Sequence, residues 1–113
     1  MTVPLYQAKA EFFRTLGHPA RIRILELLSE RDHAVHELLS EIAVEPSSLS
    51  QQLAILRRAG LVAQRRVAGE VVYSVIVPEV RDLLRDARAI LRGVLDGQAQ
   101  LKRDLKPPGR AKR

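Results

Sequence analysis

Glu45 stands immediately before Pro46, and a residue in that position is pushed out of the helical region by the proline ring. The chain on either side carries helical spacing, so "VEP" predicts a tight turn between two helices. Before the turn, "HAVHELLSEIA" predicts a short helix from about Val35 to Ala43. After it, "PSSLSQQLAILRRAG" predicts a helix that opens on Pro46, where a missing N–H costs nothing, and ends at Gly60. A short helix, a tight turn and a second helix make the helix-turn-helix unit. The next stretch, "LVAQRRVAGEVVYSVIV", is dense in β-branched residues, breaks at "AGE" and resumes. It predicts a β-hairpin from about Leu61 to Val77 with its turn at Ala68–Glu70. A hairpin directly after a helix-turn-helix makes a winged helix.

The flanking segments supply the rest of the core. "PLYQAKAEFFRTLG" predicts a helix from about Pro4 to Leu16 stopped by Gly17, and "HPARIRILELLSE" a second one with His18 as a candidate cap and Pro19 at its first position. After Pro78, "EVRDLLRDARAILRGVLDGQAQLKRDL" predicts a long last helix. Leu84, Ala87, Leu91, Val94, Gln98, Leu101 and Leu105 follow one another in steps of three and four, a heptad-like seam. Gly93 and Gly97 weaken that helix and predict fraying past Asp96. The expected architecture is mainly α (α+β), a winged helix-turn-helix in the order α-α-α-α-β-β-α. Residues 1–106 read as one domain, and residues 107–113 as a disordered basic tail.

On a helical wheel for residues 46–60, Leu49, Leu53 and Leu56 fall within about 60° of one another and form the buried face. Ser47, Gln51, Ala54 and Arg58 point the other way, with Ser50 and Arg57 on one flank and Ser48 and Ile55 on the other. The outward face therefore begins with short hydroxyls and an amide and ends with two arginines. In helix-turn-helix proteins the N-terminal end enters the major groove. Gln can pair there with adenine, and Ser can meet any base or a phosphate. This order suits Ser47, Ser48, Ser50 and Gln51 to base edges, and Arg57 and Arg58 to the backbone. Arg65 and Arg66, on the hairpin, suit adjacent phosphates. Each feature alone has a plainer explanation: Ser47 or Ser48 as a helix cap, Arg57 and Arg58 as a solvated face. Their combination with the turn and the hairpin favours double-stranded DNA as the partner.

The charge distribution agrees. Residues 1–60 hold 7 Lys/Arg against 7 Asp/Glu, whereas residues 61–113 hold 12 against 6 and carry the whole excess of +6. A polyanion meets the second half of the chain first. There is no Cys, which removes disulfides, thiolate metal sites and thiol redox switches. The N-terminal segment lacks a signal-peptide pattern, and no apolar run approaches the roughly 20 residues of a membrane span. The expected location is the cytoplasm, with no membrane contact.

The segments "LGHPARIRILELL" (16–28), "HELLSEIAVEPSSLSQQLAILRRAGLV" (36–62) and "RRVAGEVVYSV" (65–75) together resemble the ArsR/SmtB group of bacterial winged-helix transcription regulators, over about residues 5–95. The resemblance implies a reading helix beginning at Pro46, with Ser47, Ser50 and Gln51 facing bases. It implies a homodimer through the first and last helices, here Leu5, Phe12, Leu84, Leu91 and Val94. It also raises a metal switch, from which this chain departs. Members with a third-helix site carry a Cys-Val-Cys type motif where this chain has Ala34-Val35-His36, and the last helix has no His for the alternative site.

Three histidines remain. His18 reads as a cap or a surface residue and not as a ligand. His33 and His36, three apart, could meet on one helical face and with Asp32 or Glu37 form a weak Ni or Zn site. Two imidazoles without a firm third ligand favour no metal and no cofactor. Sensing would then fall to a small-molecule effector or a separate sensor protein. No catalytic constellation is visible, since the Ser cluster at 47–50 has no base within helical reach. The expected function is a sequence-specific transcription regulator binding a pseudo-palindromic operator as a homodimer. The alternative is a winged-helix module that binds protein and not DNA. Arg81, Arg85, Arg88 and Arg92 form a stripe on the last helix that reads as a solvated face tied to Asp82 and Asp86.

Overall fold

A computed structural model describes residues 2–105. The expected basic tail, residues 107–113, lies outside the described residues. In chain order the elements are α1 (Leu5–Leu16), α2 (Pro19–Glu30), β1 (His33–Ala34), α3 (Val35–Glu41), α4 (Pro46–Arg58), β2 (Val62–Val67), β3 (Glu70–Val75) and α5 (Glu79–Asp104). The winged helix-turn-helix expected from the sequence is present, with one strand added. The two-residue β1 pairs antiparallel with β3, giving a three-stranded sheet in the order β1-β3-β2. Two residues are too few for a period-2 pattern to register, so β1 left no trace in the sequence.

Local chemistry sets the helix limits. His18 Nδ1 accepts the Ala20 N–H at 3.1 Å and caps α2, with Pro19 in the first turn. Gly17 ends α1, and a Cβ there would sit 3.3 Å from the Phe13 carbonyl oxygen. α3 has half of a capping box. Ala34 has no side-chain acceptor, but the Glu37 carboxylate accepts the Ala34 N–H at 2.8 Å. The hairpin turn is built on Ala68 (φ 51°) and Gly69 (φ 83°) between the paired residues Val67 and Glu70. Positive φ at both central residues is the two-residue turn whose twist matches that of the strands.

The described residues divide into two compact units, one ending at Arg81 and the other beginning at Asp82. In the first unit Ile24 and Leu25 of α2, Leu38 of α3, Leu49, Leu53 and Leu56 of α4, and Val62 of β2 are the largest fully buried side chains. Each is worth roughly 1.5–3 kcal/mol relative to exposure, and together they clamp α4 through its leucine face. Arg81, at the end of this unit, donates from Nε to the Ser29 carbonyl at 2.8 Å in the last turn of α2. It is therefore not part of a purely solvated stripe, whereas Arg85 does pair with Asp82.

The described part of the second unit is helical through Asp104. The expected fraying past Asp96 is not seen: α5 runs through both Gly93 and Gly97. Two glycines cost about 2 kcal/mol against Ala, which the other residues of a 26-residue helix offset.

Candidate nucleic-acid interface

α4 is held by one face and open on the other. Leu49, Leu53 and Leu56 are buried, while Ser47, Ser50, Gln51, Arg57 and Arg58 are exposed and Ser48 is half-buried. The position before the helix is Glu45, and no side chain caps it. Ser47 and Ser48 therefore lie inside the first turn, and neither is the cap that the sequence allowed. The N-terminal N–H groups of α4 carry the positive end of the helix dipole, which favours an anion there. Arg57 and Arg58 fall in the last turn, about 15 Å along the helix from Ser47 at 1.5 Å per residue.

Arg65 and Arg66 lie on β2 opposite Val72 and Val71 respectively. Adjacent strand residues point to opposite faces, so the two arginines do not act as one patch. Arg65 shares its sheet face with Val72 and Ala34, and it pairs with Asp32 at 2.8 Å. Arg66 donates to the Gly69 carbonyl at 3.2 Å across the hairpin turn. On the face of Arg66, the buried Tyr73 donates its hydroxyl proton to Gln64 Oε1 at 2.8 Å. A second polar contact, His36 Nδ1 to Glu70 Oε1 at 3.1 Å, ties α3 to the base of the hairpin turn.

The two histidines do not share a helical face. His33 lies in β1, is only 3% exposed, and its Nδ1 is 2.8 Å from the Arg31 carbonyl. His36 lies in the first turn of α3 and is exposed. A strand at residues 33–34 turns the first ring inward and the start of α3 turns the second outward. Among the described residues no group of three His, Cys, Asp or Glu side chains is placed to hold a metal. Glu37 has another occupation. Its carboxyl is held below the ordinary carboxylate range, first by the hydrogen bond from the Ala34 N–H. Partial desolvation opposes that shift, and the nearby Arg31 cation, 3.3 Å away, reinforces it.

Sequence reasoning missed one side chain on α4. Gln52 is 9% exposed, and its Oε1 accepts from the Arg21 guanidinium at 2.8 Å. On the wheel it falls beside Leu56, so its position on the buried flank was available from spacing alone.

The helix-turn-helix, the polar outward face of α4 and the arginine-bearing hairpin define a winged helix-turn-helix protein of the DNA-binding class. Comparison with known proteins gives the same class. Residues 18–64 match the model of the bacterial regulatory proteins of the arsR family. The chain is 54% identical over 109 residues to the uncharacterized HTH-type transcriptional regulator Rv0081 of Mycobacterium tuberculosis, covering 96% of each. It is 37% identical over 86 residues to the transcriptional repressor SmtB homolog of Synechocystis, covering 76% of this chain and 65% of that protein. The crystal structure of Rv0081 aligns with a TM-score of 0.80 at 56% identity, covering 87% of this chain and 99% of the other. That of the transcriptional repressor BigR from Xylella fastidiosa aligns at 0.66 with 30% identity, covering 78% and 87%. The chain belongs to the arsR family of bacterial regulatory proteins. It is a transcriptional regulator and not an enzyme.

Proposed function

We propose that the protein binds a pseudo-palindromic operator as a homodimer, with one α4 in each of two major-groove segments about one DNA turn apart. The observation that carries this reading is the uncapped, exposed N-terminal end of α4, which presents Ser47, Ser50 and Gln51 with no bulky or charged side chain among them. Ser48, half-buried beside them, serves the phosphate at the helix start. Arg57 and Arg58 follow the backbone, and the wing arginines Arg65 and Arg66 reach phosphates on either side of the hairpin.

A second copy covers apolar surface in each unit. On α1, Leu5 is exposed and Phe12 is half-buried, packed edge-to-face on Phe13 at 5.5 Å between ring centroids. On α5, Leu91 and Val94 are exposed and Leu84 half-buried. Leaving so many large apolar side chains in water marks an interaction surface. The site of action is the cytoplasm, where operator DNA is; no helix of the described residues is long and apolar enough to cross a membrane. Its signal comes from a small molecule or a separate sensor protein.

The test is a gel-shift titration against duplexes selected by the protein from a random pool, with sedimentation equilibrium in parallel. The expected result is a dimer at micromolar concentration and a selected sequence with two inverted half-sites. Replacing both Arg65 and Arg66 by Ala should lower affinity on every sequence and flatten the salt dependence by about one unit per lost phosphate contact. Absence of DNA binding at low salt would favour the protein-binding module instead.

A further inference from the structure

Arg21 occupies the first turn of α2, yet its guanidinium serves two other helices. Nε donates to the Thr15 carbonyl at 2.7 Å, in the last turn of α1, and one terminal nitrogen donates to Gln52 Oε1 of α4 at 2.8 Å. Thr15 offers one of the four carbonyls that the end of α1 leaves without a helical partner, and a cation suits that end of the helix dipole. Gln52 is nine-tenths buried and immediately follows Gln51. One rigid, planar fork thus fixes the end of α1 and the side of α4 at once, which a flexible ammonium cannot reproduce.

We propose that Arg21 is a positioning residue for sequence reading: through Gln52 it sets the rotation of α4 about its own axis and so aims Ser50 and Gln51. The leucine face alone cannot do this as sharply. Apolar contacts are non-directional and accommodate small rotations, whereas a hydrogen bond weakens steeply with misalignment. With side-chain tips about 5–6 Å from the helix axis, a rotation of about 20° moves them by about 2 Å. That displacement breaks a base contact made at hydrogen-bond distance but leaves long, mobile arginines able to follow a phosphate. The inference rests on the reading of Ser50 and Gln51 as base-facing, and it assigns Arg21 no contact with DNA.

The experiment measures two affinities at one salt concentration, for the duplex that the wild-type protein selects and for a scrambled duplex of the same length. The variants are Arg21→Lys, Gln52→Met, their combination, and Gln51→Ala. Met conserves volume at a buried position, and Lys keeps the charge, so both variants are expected to fold, which circular dichroism checks. The expected result is a specificity ratio reduced about tenfold in Arg21→Lys and in Gln52→Met, with affinity for scrambled DNA unchanged within twofold. The double variant should lose no more than either single one, because the two side chains act as one unit. If Gln51→Ala lowers the ratio while Arg21→Lys and Gln52→Met leave it intact, the proposal is overturned. It is also overturned if both affinities fall together with thermal stability, which marks a purely structural role. If Gln51→Ala leaves the selected sequence unchanged, the base-facing assignment fails first and the proposal falls with it.

Discussion

Asp32 holds the guanidinium of Arg65 at 2.8 Å, with both side chains about half exposed. The pairing follows from strand geometry. Ala34 and Arg65 both lie opposite Val72, on its two sides, so Asp32, two residues before Ala34, shares their sheet face. Across β3 an acid from the approach to β1 therefore meets a base from the wing. An exposed pair of this kind contributes about 0–1 kcal/mol to stability. Its larger consequence lies in binding, because the carboxylate occupies the arginine that a phosphate would take.

The first prediction concerns that competition. Asp32→Asn should leave the thermal midpoint nearly unchanged and raise affinity about two- to fivefold on specific and scrambled duplexes alike, since it frees Arg65 and removes a negative charge beside the wing. Fluorescence-anisotropy titrations at fixed salt check this. A fall in affinity would show that Asp32 pre-orders Arg65 for DNA.

The second prediction is a pH dependence. Glu37 accepts the Ala34 N–H and lies beside Arg31, and its carboxyl is lowered from the ordinary value chiefly by that hydrogen bond. A group lowered in the folded state contributes stability that is complete above its unfolded value and is lost as pH falls through its folded value. The stability difference between the wild type and Glu37→Gln should accordingly be constant near neutrality, shrink as pH drops below the ordinary carboxylate range, and vanish in stronger acid. Urea unfolding at a series of pH values measures it. A difference that stayed flat across the acid range would show that Glu37 acts through packing alone.

How much was legible is clearest on α4. Pro46, the Leu49–Leu53–Leu56 spacing and Gly60 dictated where the helix begins, which side it buries and where it stops, and the fold agrees on all three. The turn at Ala68 and Gly69 was equally readable, because few residue pairs tolerate two positive φ angles. What escaped depends on long-range pairing. β1 exists only because His33 and Ala34 find Tyr73 and Val72, about 40 residues later, and nothing local encodes that. The same pairing buries His33 and separates it from His36, which undid the expectation that the two would share a helical face. Arg21 and Gln52 are 31 residues apart. Spacing placed Gln52 beside the leucines, but only the packing of α2 against α4 brings a cation to it.

The third prediction addresses the glycines of α5. An added Cβ at Gly93 or Gly97 meets nothing within 4 Å, so Ala at either site should stabilise the helix by roughly 1 kcal/mol through lower backbone entropy. Thermal melts followed by circular dichroism should show a raised midpoint for each single change and a larger rise for both. A midpoint lower than that of the wild type, by a margin that grew as protein concentration rose, would reveal a second copy packed closely on these glycines.

The last prediction concerns metals and thiols. No Cys exists, so thiol reagents have no target and should leave operator affinity unchanged. A tight Zn or Ni site needs several fixed nitrogen, sulfur or carboxylate ligands. Here His33 Nδ1 is engaged with the Arg31 carbonyl inside the sheet, and His36 Nδ1 is engaged with Glu70 on the surface. Bringing both rings to one ion would unpair β1 from β3. Operator affinity should therefore be the same in EDTA as without it, and added Ni or Zn should change it by less than about threefold, since a ligand shifts an equilibrium only by its differential affinity for two states. His36→Ala is the informative variant, because it removes an exposed ring, whereas His33→Ala would open a cavity beside the wing and weaken binding through misfolding. A metal effect of tenfold or more that disappears in His36→Ala would place a regulatory ion at the junction of α3 and the wing and refute the prediction.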